Sequence, residues 1–183
     1  MQMDTHIDGD VLRSIMRKVP SPVAVVTAVK NGEARGITIS SFASASLDPP
    51  LISFNVGTDA QMHPLIHDAE RYAVHVLTDR QVTLSNRFAI PDAHGADQFR
   101  GVPHSVEEDG LPVLDGVLAV FFCRPFAVYP AGDHSIIVGE VTAVQDGEPG
   151  RPVLYYNRSY REVGDEVTLA ALAATNAGSN AIP

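Results

Sequence analysis

Short apolar runs broken by turn residues dominate this chain, and helical spacing is confined to three brief stretches. Between residues 10 and 19, Val11, Leu12, Ile15, Met16 and Val19 recur at three- and four-residue steps and share one helical face. Asp8 or Asp10 can cap that helix, and Pro20 and Pro22 end it. Residues 61–70 predict a second short helix, and Asp79 caps a third that carries Val82, Leu84 and Phe88. The remaining order is read as strands: 22–29, 34–47, 51–56, 72–77, 117–129, 136–144 and a closing 152–156. Asn31-Gly32 is a hairpin signal, and Pro130 to Asp133 joins the two longest strands. Residues 91–106 read as a long surface loop rich in Gly, Pro, Asp and His, and the small-residue stretch from Thr168 onward as a frayed, partly disordered tail.

Many short strands with few helices imply a mainly β fold, an antiparallel barrel, rather than a doubly wound sheet. One domain over residues 11–160 is expected, with an N-terminal extension over 1–10 and a C-terminal tail over 161–183. A chain of 183 residues is long enough to bury a substantial core. No apolar run approaches the roughly 20 residues needed to cross a bilayer, and the polar first ten residues do not look like a secretory signal, so neither a membrane nor export is expected. Twenty-two acids against 13 bases give a net charge of −9, which disfavours nucleic acid as a partner. Cys123 is the single cysteine, so no internal disulfide or thiolate metal cluster can form and a cytoplasmic location fits.

The sequence lacks both a G-x-G-x-x-G turn and a P-loop, so a bound nucleotide would be held by other means. The informative stretch is RGITISSFASASLDPP, residues 35–50. Read with period 2, Thr38, Ser40, Ser44 and Ser46 fall on one face and Ile37, Ile39, Ala43, Ala45 and Leu47 on the other. Small hydroxylated residues let a large planar group approach the backbone and offer it hydrogen bonds. A solvent-facing Ser/Thr strand would show the same spacing.

The run Gly36-x-Thr38-x-Ser40-Ser41-x-x-Ser44-x-Ser46-Leu47-x-Pro49-Pro50 resembles the signature of the flavin reductase-like, FMN-binding split-barrel family. Val23 to Thr27, Leu84-x-x-Arg87-Phe88-Ala89, and Gly132-Asp133-His134 followed by Val138 to Val141 extend the resemblance over roughly residues 11 to 160. The Tyr129 to His134 run is similar to reductase partners of two-component monooxygenases, including those of aromatic polyketide pathways. The resemblance implies a Greek-key split barrel and a homodimer that takes hydride from NADH or NADPH, reduces FMN or FAD, and supplies a separate monooxygenase by diffusion. It implies a flavin surface built from Thr38, Ser40, Ser41, Ser44, Ser46, Asn55 and Phe88, with Arg87 at the flavin phosphate. His134 would position the nicotinamide, or else be a turn residue bonded to Asp133. Where many relatives look basic, residues 58–63 here read TDAQMH, which leaves the phosphate contacts and the choice of FMN or FAD open. A non-catalytic flavin-binding protein, or another flavin-dependent oxidase on the same fold, are the rival readings.

Two further features invite chemistry. His63 and His67 have metal-ligand spacing but lack a third ligand or the Glu of H-E-x-x-H, so no metal is expected. Cys123 lies among apolar residues and reads as a buried hydrophobe rather than a nucleophile.

Overall fold

The structure is a computed structural model and describes residues 7–90 and 98–166. The centre is formed by β2 (Ala24–Lys30) and β6 (Tyr72–Val76), whose near-continuous apolar sequences reflect burial on both faces. Antiparallel pairing extends from them to β3 (Glu33–Ile39) on one side. On the other side lie β9 (Ala119–Ala131), β10 (His134–Asp146), β5 (Pro50–Gly57) and β4 (Ala43–Leu47), giving the order β3-β2-β6-β9-β10-β5-β4. The sheet curls until β3 and β5 touch, though they share no ladder. The result is an antiparallel barrel with an open seam between β3 and the β5–β4 edge.

Two cores follow from the alternation of β2. Ala24, Val26 and Ala28 point into the barrel with Phe54, Tyr72, Val74 and Ile137, and helix α2 (Met62–Asp68) contributes Met62, Leu65 and Ile66 to that core. Val23 and Val25 point outward into a second core with Leu77, Leu111, Leu114, Val120 and Phe88. That outer core is covered by α3 (Val82–Ala89) and by the hairpin of β7 (His104–Val106) and β8 (Pro112–Leu114). Buried Thr27 donates to the Pro112 carbonyl at 2.7 Å, anchoring that hairpin to β2.

Several expected elements are redrawn. The expected strand 34–47 is two strands on opposite edges of the sheet, and Ser40 to Phe42 cross the seam between them. A bulge between Ser44 and Ser46 interrupts the alternation again, so the four hydroxyl residues do not share a face. The stretch from 98 to 106 is a turn followed by β7, not a bare loop, and residues 91–97 lie outside the described residues. β11 (Val153–Tyr156) turns back into an unexpected β12 (Ser159–Glu162), which carries the domain past residue 160, and β11 also pairs with the two-residue β1 (Ser21–Pro22). The tail from 167 onward lies outside the described residues. Helix α1 (Gly9–Met16) is capped by Asp8, whose carboxylate accepts from the Asp10 N–H at 3.0 Å. No residue of α1 is buried.

Candidate functional site

Two adjoining clefts, one in the seam and one beside it, share Thr38, Ile39 and Ser40. The first, of about 450 Å³, is bounded by Ser41, Asn55, Gly57 and His134, with apolar walls from Ile37 and Ile136. Strand register explains the convergence: β5 and β10 pair antiparallel with Gly57 opposite His134 and Asn55 opposite Ile136. The crossing residues then lock onto β5, because Ser41 Oγ accepts from the Asn55 N–H at 2.8 Å.

His134 begins β10 immediately after the Gly132-Asp133 turn, where Gly132 takes a φ of +65°. Its Nδ1 lies 2.7 Å from the Asp133 carboxylate, which requires the proton on Nδ1 and leaves Nε2 for a ligand. That hydrogen bond holds the Asp133 carboxyl below its ordinary range. The Asp133 carbonyl accepts from the Thr58 N–H at 3.0 Å, joining the turn to the loop after β5. Thus His134 is both bonded to Asp133 and part of the cleft wall.

The second cleft, of about 340 Å³, lies between β3, α3 and the β11–β12 hairpin, and is lined by Ser85, Asn86, Tyr155, Arg158 and Tyr160. Tyr160 Oη donates to Asn86 Oδ1 at 2.8 Å and lies 2.9 Å from Ser85 Oγ. Thr38 Oγ1 donates to the Ser85 carbonyl at 2.7 Å, tying β3 to α3. None of these five side chains was singled out in the sequence. A signal existed: Asn157-Arg158 sits between two Tyr-bearing alternating segments, and asparagine readily enters a turn with positive φ.

The structure separates the other expected site residues. Ser44 is exposed on β4, and Ser46 Oγ accepts from the Asp48 N–H at 3.2 Å as a turn cap; neither lines the two clefts. Phe88 is 2% exposed inside the outer core, so it supports β3 from behind and has no surface to offer a ligand. Arg87 donates to the carbonyls of Gln98 and Arg100, each at 2.7 Å, and so clamps the segment behind β3. Gln98 in turn bonds both the N–H and the C=O of Gly36 on β3, at 2.9 and 2.8 Å. His63 Nε2 lies 2.9 Å from Ser135 Oγ, and no cluster of three or more metal-ligating side chains occurs among the described residues. Cys123 is 1% exposed, and burial pushes its thiol up to about 12, far from the thiolate a nucleophile needs.

An open-seamed antiparallel barrel with hydroxyl-lined clefts and no glycine-rich phosphate loop defines a split-barrel protein. Residues 16–164 match the family model for the flavin reductase like domain, and the chain belongs to that family. It is 40% identical over 139 residues to an NADH-dependent FMN reductase of Agrobacterium fabrum, covering 75% of this chain and 78% of the relative. It is 35% identical over 154 residues to the reductase component of 4-hydroxyphenylacetate 3-monooxygenase from Thermus thermophilus, covering 84% of this chain and 96% of that protein. Among solved structures, an NADH:FAD oxidoreductase of Streptomyces globisporus, in complex with NAD and FAD fragments, superposes with a TM-score of 0.80 at 33% identity, over 89% of this chain and 99% of the other. No helix among the described residues is long and apolar enough to cross a membrane.

Proposed function

We propose that this protein is an NADH-dependent flavin reductase that supplies reduced FMN or FAD to a separate monooxygenase. The observation that carries the reading is the first cleft, in the seam, where Ser40, Ser41, Asn55 and His134 converge between apolar walls. The fit to a flavin rests on this cleft. Its volume of about 450 Å³ suits a ring system, Ile37 and Ile136 offer apolar faces, and small side chains let the ring lie near the backbone. When bound, a flavin supplies the hydride acceptor, so the protein need only bind and orient.

Each residue then has a physical task. Ser40 is exposed in the cleft and available to hydrogen-bond the ring edge. Ser41 fixes the crossing segment to β5 and holds the cleft at constant width. His134, steadied by Asp133, accepts from the nicotinamide carboxamide through Nε2 and aligns the dinucleotide. Anaerobic mixing of the protein with NADH and FMN tests the reading: NADH absorbance should fall in step with bleaching of the flavin over many turnovers. Tight flavin binding without turnover would replace it with the storage reading.

The protein acts as a homodimer in the cytoplasm. Support for the dimer comes from α1, where Val11, Leu12, Ile15 and Met16 are all more than half exposed, an apolar face that a second copy would cover. Light scattering on Leu12→Glu/Ile15→Glu should report a monomer where the unaltered protein is a dimer. A monomeric unaltered protein would overturn this assembly.

A further inference from the structure

The second cleft mixes polar and apolar walls, and Arg158 is the one cation among its lining residues. Arg158 lines it and makes no hydrogen bond or ion pair with any described residue. Around it the polar groups are already oriented. Ser85 Oγ bonds the Tyr160 hydroxyl, which in turn donates to Asn86 Oδ1 and leaves the Asn86 amide N–H groups to donate elsewhere. The turn carrying Arg158 is pinned, because the Asn157 N–H donates to the Arg17 carbonyl at 3.0 Å. It is also strained: φ is +47° at Asn157 and +63° at Arg158. Asparagine tolerates that region, but the second position of such a hairpin turn favours glycine, and arginine there carries a steric cost. A bulky side chain held in this backbone region directs attention to what that side chain does.

Resting on the flavin reductase reading, we propose that Arg158 is the cation that recognises the flavin phosphate, which makes phosphorylated flavins rather than riboflavin the substrate class. The two clefts meet at Thr38 to Ser40, so a ring held in the first cleft directs its ribityl chain past Ser40 and its phosphate into the second. A phosphate dianion on a chain of net charge −9 needs a local positive charge. Arg87, the residue suggested by family resemblance, has its guanidinium bonded to the Gln98 and Arg100 carbonyls. Arg158 offers a guanidinium in the cleft itself, with the planar fork that suits phosphate oxygens.

The test compares FMN with riboflavin, without nicotinamide, on the unaltered chain, Arg158→Gly and Arg158→Lys, using flavin fluorescence and thermal unfolding. The unaltered chain should bind FMN more tightly than riboflavin. Arg158→Gly should weaken FMN binding about tenfold or more, the scale of one lost charge-assisted contact, and leave riboflavin affinity unchanged. Because glycine relieves the turn, the same variant should melt no lower than the unaltered chain. Arg158→Lys should retain part of the preference. An unchanged FMN-to-riboflavin ratio in Arg158→Gly overturns the assignment. Equal loss of both flavins with a lower melting temperature overturns it too, showing a structural role. Unchanged flavin affinities in Arg158→Gly, with a raised KM for NADH in a separate steady-state assay of the same variant, would move the arginine to the dinucleotide and equally defeat the proposal. An unaltered chain that binds riboflavin as tightly as FMN refutes the phosphate assignment alone, whereas one that binds neither refutes the reductase reading and this inference with it.

Discussion

Replacing Gly36 with alanine should loosen the wall shared by both clefts. A Cβ built on Gly36 would lie 2.6 Å from both Cδ1 and Cε1 of Phe88. Carbon atoms rest at roughly 3.5–4.0 Å, so the ring would have to retreat by about 1 Å. It has nowhere to go: Phe88 is 2% exposed, its ring sits 5.3 Å from that of Phe99, and Phe99 in turn stacks 5.4 Å from His104. Overpacking of this kind costs about 1–3 kcal/mol, less roughly 0.5 kcal/mol recovered because alanine tolerates strand backbone better than glycine. For a chain of this size, melting should fall by about 1–10 °C. Flavin affinity should fall as well, because Phe88 shares α3 with Ser85 and Asn86. The decisive assay is a double-mutant cycle by denaturant unfolding. Phe88→Leu alone leaves a cavity and costs about 1–2 kcal/mol. In the double variant the added methyl occupies part of that cavity, so the two costs should fall short of their sum by at least about 0.5 kcal/mol. Strict additivity, or a Gly36→Ala protein as stable as the original, would refute the steric reasoning.

Three further outcomes are expected. His134→Ala should raise the KM for NADH and lower kcat/KM about five- to thirtyfold with little change in flavin affinity, since positioning rather than chemistry is lost; steady-state kinetics with each substrate varied would show it. Ser40→Ala and Thr38→Val should part company: the first weakens flavin binding, while the second frees the Ser85 carbonyl and costs roughly 0.5–1.5 kcal/mol of stability, as paired titration and unfolding would report. His75 is fully buried, its Nδ1 is 3.0 Å from the Val25 carbonyl, and burial lowers its pKa to about 4. The unfolded chain therefore takes up that proton first as pH falls. The neutral imidazole's contribution is complete above about pH 6.5 and is lost progressively down to about pH 4, on the order of 3 kcal/mol in all. Unfolding free energies across that range should show the slope, and His75→Asn should flatten it.

Much of the architecture was legible because its causes are local. The Val-rich centre, the Asn31-Gly32 turn and the two long strands ending at Gly132 were read from apolar runs and turn chemistry alone, and the structure has them within a few residues. Conversely, β12 went unread although Asn157 announced its turn, because arginine stands where glycine usually would. In the hydroxyl-rich segment, alternation could not reveal that the strand breaks at Ser40 and crosses a seam. That break depends on β3 and β5 meeting after the sheet has curled, a long-range event that no period-2 count contains. The same limit governed the arginines. Arg87 sits in one of the motifs that carry the family resemblance and Arg158 outside them, yet what each cation touches was settled by packing: the Gln98 and Arg100 carbonyls around one, an open cleft before the other. Sequence by itself determined which segments must be buried and where the chain must turn. Only the tertiary structure decided which polar groups were left over to meet a ligand, because an unpaired group is defined by everything that failed to reach it.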